Sequence, residues 1–212
     1  MDEHEQRVLR EVARLQAQQL EWTRQLVRIP TVNPYSGDDS AACEAAGQDW
    51  FAGRVGELGA AVRRVAVPED VYERGGIIGP AGRSWAGRDN VVGTWTLGGG
   101  DGPTVLINDH MDTVGTAGMT VAPFDPVEAE GRLYGRGTSD TKGNLVMGLV
   151  AVAAVLQHTA GLRGRIVFES VVDEECNGAG AGTLACCLAG ITGDTKGAAW
   201  QPITVKLDGA KP

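Results

Sequence analysis

The chain has 212 residues, 42% of them hydrophobic, with a formal net charge of −8 and a sequence pI near 4.9. That length suits one domain with a substantial core. The acidic balance argues against nucleic acid and anionic membrane as partners, because both would repel it, and leaves a small molecule or a peptide as the expected one.

The first stretch, MDEHEQRVLREVARLQAQQLEWTRQLVRIP, carries acids where a secretory leader carries basic residues and has no leader-type apolar run, so a cytoplasmic location is expected. Val8, Leu9, Val12, Leu15, Leu20, Trp22, Leu26 and Val27 recur mostly at helical spacing until Pro30, which predicts a first amphipathic helix. Behind the turn NPYSGDD a second helix is predicted from about Ser40 to Leu58, ended by Gly59. Strands are predicted at AVRRVAV, NVVGTWTL, TVLIN and RIVFESVV, with a helix from about Gly143 to Gln157 before the last. The most apolar run, Leu145 to Leu156, is shorter than the ~20 residues a membrane span needs, and reads as a buried helix. TLGGGDGPT reads as a hairpin turn. Strands alternating with helices predict an α/β domain whose sheet is mixed and largely parallel, flanked by helices. Cys43, Cys176, Cys186 and Cys187 form no CxxC pair and read as structural thiols of a reducing compartment.

Chemistry gathers at two strand ends. TVLIN runs into Asp109, His110 and Asp112; RIVFESVV runs into Asp173, Glu174 and Glu175; Asp140 lies between them in the Gly-rich loop GRGTSDTKG. In open α/β sheets the ligand site lies beyond the carboxyl ends of strands. Taken singly, His110 could be a satisfied histidine, Asp140 a helix N-cap, and the three acids a solvated turn. Taken together, converging carboxylates need a counter-charge, and a divalent metal supplies one. Imidazole and carboxylate donors without a thiolate pair suit zinc, with cobalt or manganese as alternatives. Asp112, two residues past His110, can accept the other ring N–H and fix the tautomer.

These motifs carry a resemblance. NDHMDTVG, LYGRGTSDTKGN and DEECNGAG, in that order, together with LVRIPTVNP, resemble the zinc-dependent amidohydrolase and metallopeptidase family that includes acetylornithine deacetylase, succinyl-diaminopimelate desuccinylase, aminoacylase and glutamate carboxypeptidase. The likeness covers about residues 8 to 190. It implies a two-metal site in which His110 binds one ion, Asp140 bridges both, Glu175 binds the other and Glu174 is the general base. The implied substrate is an N-acyl amino acid or a small peptide, cleaved at an amide bond.

The resemblance also implies residues that this chain lacks. The family returns to the site with a late histidine, whereas no histidine follows His158 here, and where the family has an acid before proline this chain has Gln201 before Pro202. Asp194 is a candidate substitute ligand. The expectation is therefore residues 1–190 as the N-terminal part of a catalytic domain without its lid or dimerisation domain, followed by an atypical tail over 191–212. Such a site is incomplete, with weak metal binding and little amidase activity, and the apolar surface left uncovered favours a homo-oligomer. The alternative expectation is a non-catalytic remnant that keeps the fold and at most a weak metal site.

Overall fold

A computed structural model describes residues 1–38, 42–175 and 180–194. Its N-terminal helical pattern divides into α1 (Glu3–Arg14) and α2 (Gln16–Val27). The single helix expected from the apolar spacing is interrupted at Leu15, whose ψ of 3° leaves the helical range. Helix α1 is closed by a reciprocal cap, with the Glu5 N–H donating to the Asp2 carboxylate and the Asp2 N–H to Glu5, each at 2.8 Å. Helix α3 (Ala45–Glu57) follows, then β1 (Ala61–Val65), the short α4 (Val71–Arg74) and β2 (Asn90–Leu97).

The chain continues through β3 (Thr104–His110), a small hairpin of β4 (Val127–Ala129) and β5 (Arg132–Tyr134), α5 (Lys142–Leu156), β6 (Gly164–Val171) and α6 (Ala181–Leu188). The hairpin, α4 and α6 were not predicted. Three or four residues are too few to show a period, and the motif NGAGAGT masks the start of α6.

The main sheet has the order β1-β2-β6-β3. It is mixed, but β1–β2 and β2–β6 are antiparallel and only β6–β3 is parallel, which corrects the expectation of a largely parallel sheet. The cause is the connection after β2. No helix lies there; Gly98, Gly99 and Gly100 have φ of 52°, 89° and 81° and reverse the chain directly. Nor is it a hairpin turn, because β6 lies between β2 and β3.

The one parallel pair is what places the site. Helix α5 lies between β3 and β6 in the chain, so both strands run the same way, His110 sits beside Val171, and both polar ends emerge at one edge. On one face, α2, α3 and α5 bury Leu26, Phe51, Leu145 and Leu149 against Phe168 and Trp95. Phe51 and Phe168 meet edge-to-face at 5.2 Å between centroids. Gly148 permits the close approach of α5, since a Cβ there would stand 2.7 Å from the Phe168 ring. On the other face, Cys186 of α6 packs with Val65, Val92, Val167 and Val171. Strand β6, central and covered on both sides, is almost wholly buried, which suits its apolar run Ile166–Phe168. Among the described residues no helix is long and apolar enough to cross a membrane.

Candidate metal centre

Beyond β3 the chain is held extended by the segment before α3. Thr113 N–H donates to Thr31 O at 3.0 Å and Asn33 N–H to Thr113 O at 2.9 Å. The LVRIPTVNP segment thus lies along the strand exit and delivers Asn33 to the site.

His110, Asp140 and Glu175 each offer a ligand atom, and these atoms lie within 4.8 Å of one another. His110 Nε2 stands 3.1 Å from Asp140 Oδ1 and 3.6 Å from Glu174 Oε2. Asp140 does not cap α5: Thr141 is the N-cap residue, and the Asp140 carboxylate turns to His110 instead. The Asp140–Thr141 peptide is cis.

Asp112 holds the imidazole from behind, though not chiefly through its carboxylate. His110 Nδ1 is 3.0 Å from the Asp112 backbone carbonyl and 3.5 Å from Oδ1. Either contact leaves Nε2 facing Asp140. The Asp112 carboxylate accepts from Glu174 N–H at 3.1 Å, Glu175 N–H at 3.0 Å and Asn33 Nδ2 at 2.7 Å. One buried carboxylate therefore orients both glutamates expected at the second strand end.

Asp173 parts company with its two neighbours. At φ 65° it turns inward, accepts from Arg83 Nη1 at 2.6 Å and from Arg88 Nη2 at 3.2 Å, and is fully buried. Arg88 also pairs with Glu44 through Nε at 2.8 Å and Nη2 at 2.5 Å. Sequence reasoning missed Asn33, Glu44, Arg83 and Arg88, which lie far from the strand ends in the chain. The one available signal was the LVRIPTVNP segment.

Electrostatics follow from this crowding. Burial pushes the Asp109 carboxyl up to about 6 against the hydrogen bonds it accepts from Thr141 and the His110 N–H. Burial, then the charge of Asp140, raises Glu175. Burial would depress His110, but the Asp112 hydrogen bond and charge, with Glu174 and Asp109, override it and hold the imidazole up to about 9. The donor set fits a divalent cation of borderline hardness: one imidazole nitrogen and carboxylate oxygens that repel one another converge at the cluster.

Other expected residues lie elsewhere. Asp194 N–H donates to Thr104 O at 3.0 Å, at the start of β3 and so at the opposite end of that strand from His110; it is not a substitute ligand. His158 follows α5, where its backbone N–H donates to Val155 O at 2.9 Å. Gln201, Cys176 and most of the 191–212 tail lie outside the described residues.

Comparison with known proteins agrees with this geometry. Residues 106–202 match the family model described as peptidase family M20/M25/M40. The N-formyl-4-amino-5-aminomethyl-2-methylpyrimidine deformylase of Bacillus subtilis is 34% identical over 153 residues, 69% of this chain and 31% of that protein. A succinyl-diaminopimelate desuccinylase of Gluconacetobacter diazotrophicus is 32% identical over 154 residues, covering 72% and 34%. The chain thus spans about a third of the length of these relatives. Among solved structures, the di-peptidase Dug1p of Saccharomyces cerevisiae matches at a TM-score of 0.61 and 19% identity, over 78% of this chain and 34% of that one. Human carnosine dipeptidase 1 matches at 0.57 and 20%, over 79% and 34%. These two establish a shared fold.

Proposed function

The chain belongs to peptidase family M20/M25/M40, and on that footing we propose that it is a metal-dependent hydrolase cleaving the amide bond of an N-acyl amino acid or a small peptide. The observation that carries the reading is the convergence of His110, Asp140 and Glu175 within 4.8 Å at the shared exit of β3 and β6. In this reading His110, Asp140 and Glu175 hold zinc, with cobalt or manganese as substitutes, and the resemblance assigns Asp140 the bridge between two ions. A bound divalent ion supplies Lewis acidity toward the substrate carbonyl and acidifies water.

The remaining chemistry belongs to the chain. Glu174, exposed beside the cluster with Oε2 3.6 Å from His110 Nε2, takes the proton of the attacking water and returns it to the departing amine nitrogen. The water oxygen bonds to the carbonyl carbon, the C–N bond breaks, and the products are a carboxylate and an amine. Asp112 keeps His110 Nε2 turned toward the cluster and holds the backbone of Glu174 and Glu175.

Calorimetric titration of the 212-residue chain with zinc tests the ligand set. His110→Ala and Asp140→Ala are each expected to abolish most binding, and wild-type-like binding in either removes that residue from the set. Glu174→Gln separates base from ligand. It is expected to retain metal while, in a chain restored to the length of its relatives and loaded with zinc, hydrolysis of N-acetyl amino acids and dipeptides falls by roughly 10²-fold; metal loss equal to that of Glu175→Ala removes the distinction.

A further inference from the structure

The site has two halves that arrive from distant parts of the chain, His110 with Asp112 at the end of β3, and Glu174 with Glu175 after β6. One residue outside both touches the acid that organises each. Asn33 is fully buried, and its Nδ2 donates to Asp112 Oδ2 at 2.7 Å and to Asp173 Oδ1 at 3.2 Å. Its Oδ1 accepts the Tyr35 N–H at 2.9 Å and its own N–H donates to Thr113 O at 2.9 Å, so the amide has little freedom to turn.

We propose that Asn33 is a positioning residue that couples the two halves of the metal centre, setting the distance between the imidazole and the Glu174–Glu175 pair. The inference rests on the metal-site reading above. An amide nitrogen carries two hydrogens, and here each serves a different carboxylate. Asp112 and Asp173 are both buried acids, and a shared donor lets them approach without a charge of its own to balance. Asp112 carries the constraint outward through the N–H groups of Glu174 and Glu175; Asp173 carries it through the chain itself, being the residue before Glu174 and pinned by Arg83 and Arg88. An aspartate at position 33 would set a third carboxylate against the other two, and an alanine would leave Asp112 and Asp173 each short of a donor.

The test has one arm that needs no metal. In the metal-free 212-residue chain, amide hydrogen exchange at Glu174 and Glu175 reads their bonds to Asp112 directly. Asn33→Ala is expected to speed both amides at least about fivefold, and Asn33→Asp more, relative to amides in β2. In the second arm cobalt affinity falls by about 10–100-fold and the visible spectrum of bound cobalt changes, as when a metal ligand loses its orienting partner. Val55→Ala, a core change in α3, lowers thermal stability without moving either readout and so removes the purely structural explanation. If Asn33→Ala does not fold, Arg83→Gln, which removes a guanidinium donor from Asp173, is expected to shift both readouts in the same direction by about threefold. Exchange and cobalt affinity within twofold of wild type in the folded variant overturn the proposal. A wild-type chain that binds no cobalt overturns the metal reading instead, while the exchange arm still decides the coupling.

Discussion

The floor of the site and its rim are built from the same residue types and treat them in opposite ways. In the floor, Asn33, Glu44, Arg88, Asp112 and Asp173 are 0–2% exposed, and each carboxylate meets an N–H donor or a guanidinium. At the rim, the Asp140 and Glu174 side chains are 74% and 53% exposed and face one imidazole between them. Burial explains the contrast. A charge removed from water must be paired or the fold loses several kcal/mol, so the carboxylates of the floor are paired and fixed. Charges left in water can remain unneutralised, and that residual demand is what a cation satisfies. Stability and binding should therefore separate cleanly between the two.

The largest expected effect is in the floor. Arg88→Met deletes the guanidinium shared by Glu44 and Asp173, leaving buried Glu44 short of its counter-charge and Asp173 paired with Arg83. A loss of about 3–5 kcal/mol, read by urea denaturation of the metal-free chain, is the expected outcome. A loss under about 1 kcal/mol would mean that the floor is not the fixed element. Asp112→Ala comes next. It removes the acceptor of two backbone N–H groups and of Asn33, with an expected cost of about 1–3 kcal/mol and weakened zinc binding in the same variant. The rim should behave otherwise. Asp140→Ala is expected to leave stability within about 0.5 kcal/mol, as for an exposed side chain, while zinc binding disappears.

The rim was legible in the sequence and the floor largely was not. His110, Asp140, Glu174 and Glu175 stand at strand ends or in a glycine-rich loop before a helix, where an interruption of apolar pattern marks them. Their partners have no such mark. Arg88 precedes an ordinary strand, and Glu44 looks like one more acid at a helix start. Asp173 reads as the first of three equivalent acids until a φ of 65° turns it away from the other two. Pairings across 85 and 140 residues, such as Arg88 with Asp173 and Asn33 with Asp173, depend on the strand order. The strand directions were misjudged as well, because the glycine turn after β2 took the place of the helix that a parallel sheet would require.

The smallest expected effect is the pH dependence of the boundary between the two regions, where His110 stands. Its folded pKa, about 9, lies above the ordinary 6.5, so the protonated ring contributes stability fully below about pH 6.5 and loses that contribution as pH rises through 9. Buried Lys142 acts with the opposite sign. Burial lowers it to about 7 from 10.5, so between those values the unfolded chain binds more protons and stability rises with pH. The sum in the wild-type chain is therefore shallow, and the difference between wild type and His110→Gln isolates the imidazole: in metal-free protein the wild-type advantage should shrink from pH 6.5 to 9. Zinc inverts that slope. The cation needs the neutral ring, so it competes with the proton, and affinity should increase over the same interval. Urea denaturation across pH 6 to 9.5, with and without zinc, gives both slopes. If the metal-free difference did not change with pH, neither Asp112 beneath the ring nor Glu174 and Asp109 beside it would be acting on His110, and the contrast between a paired floor and an unsatisfied rim would lose its electrostatic basis.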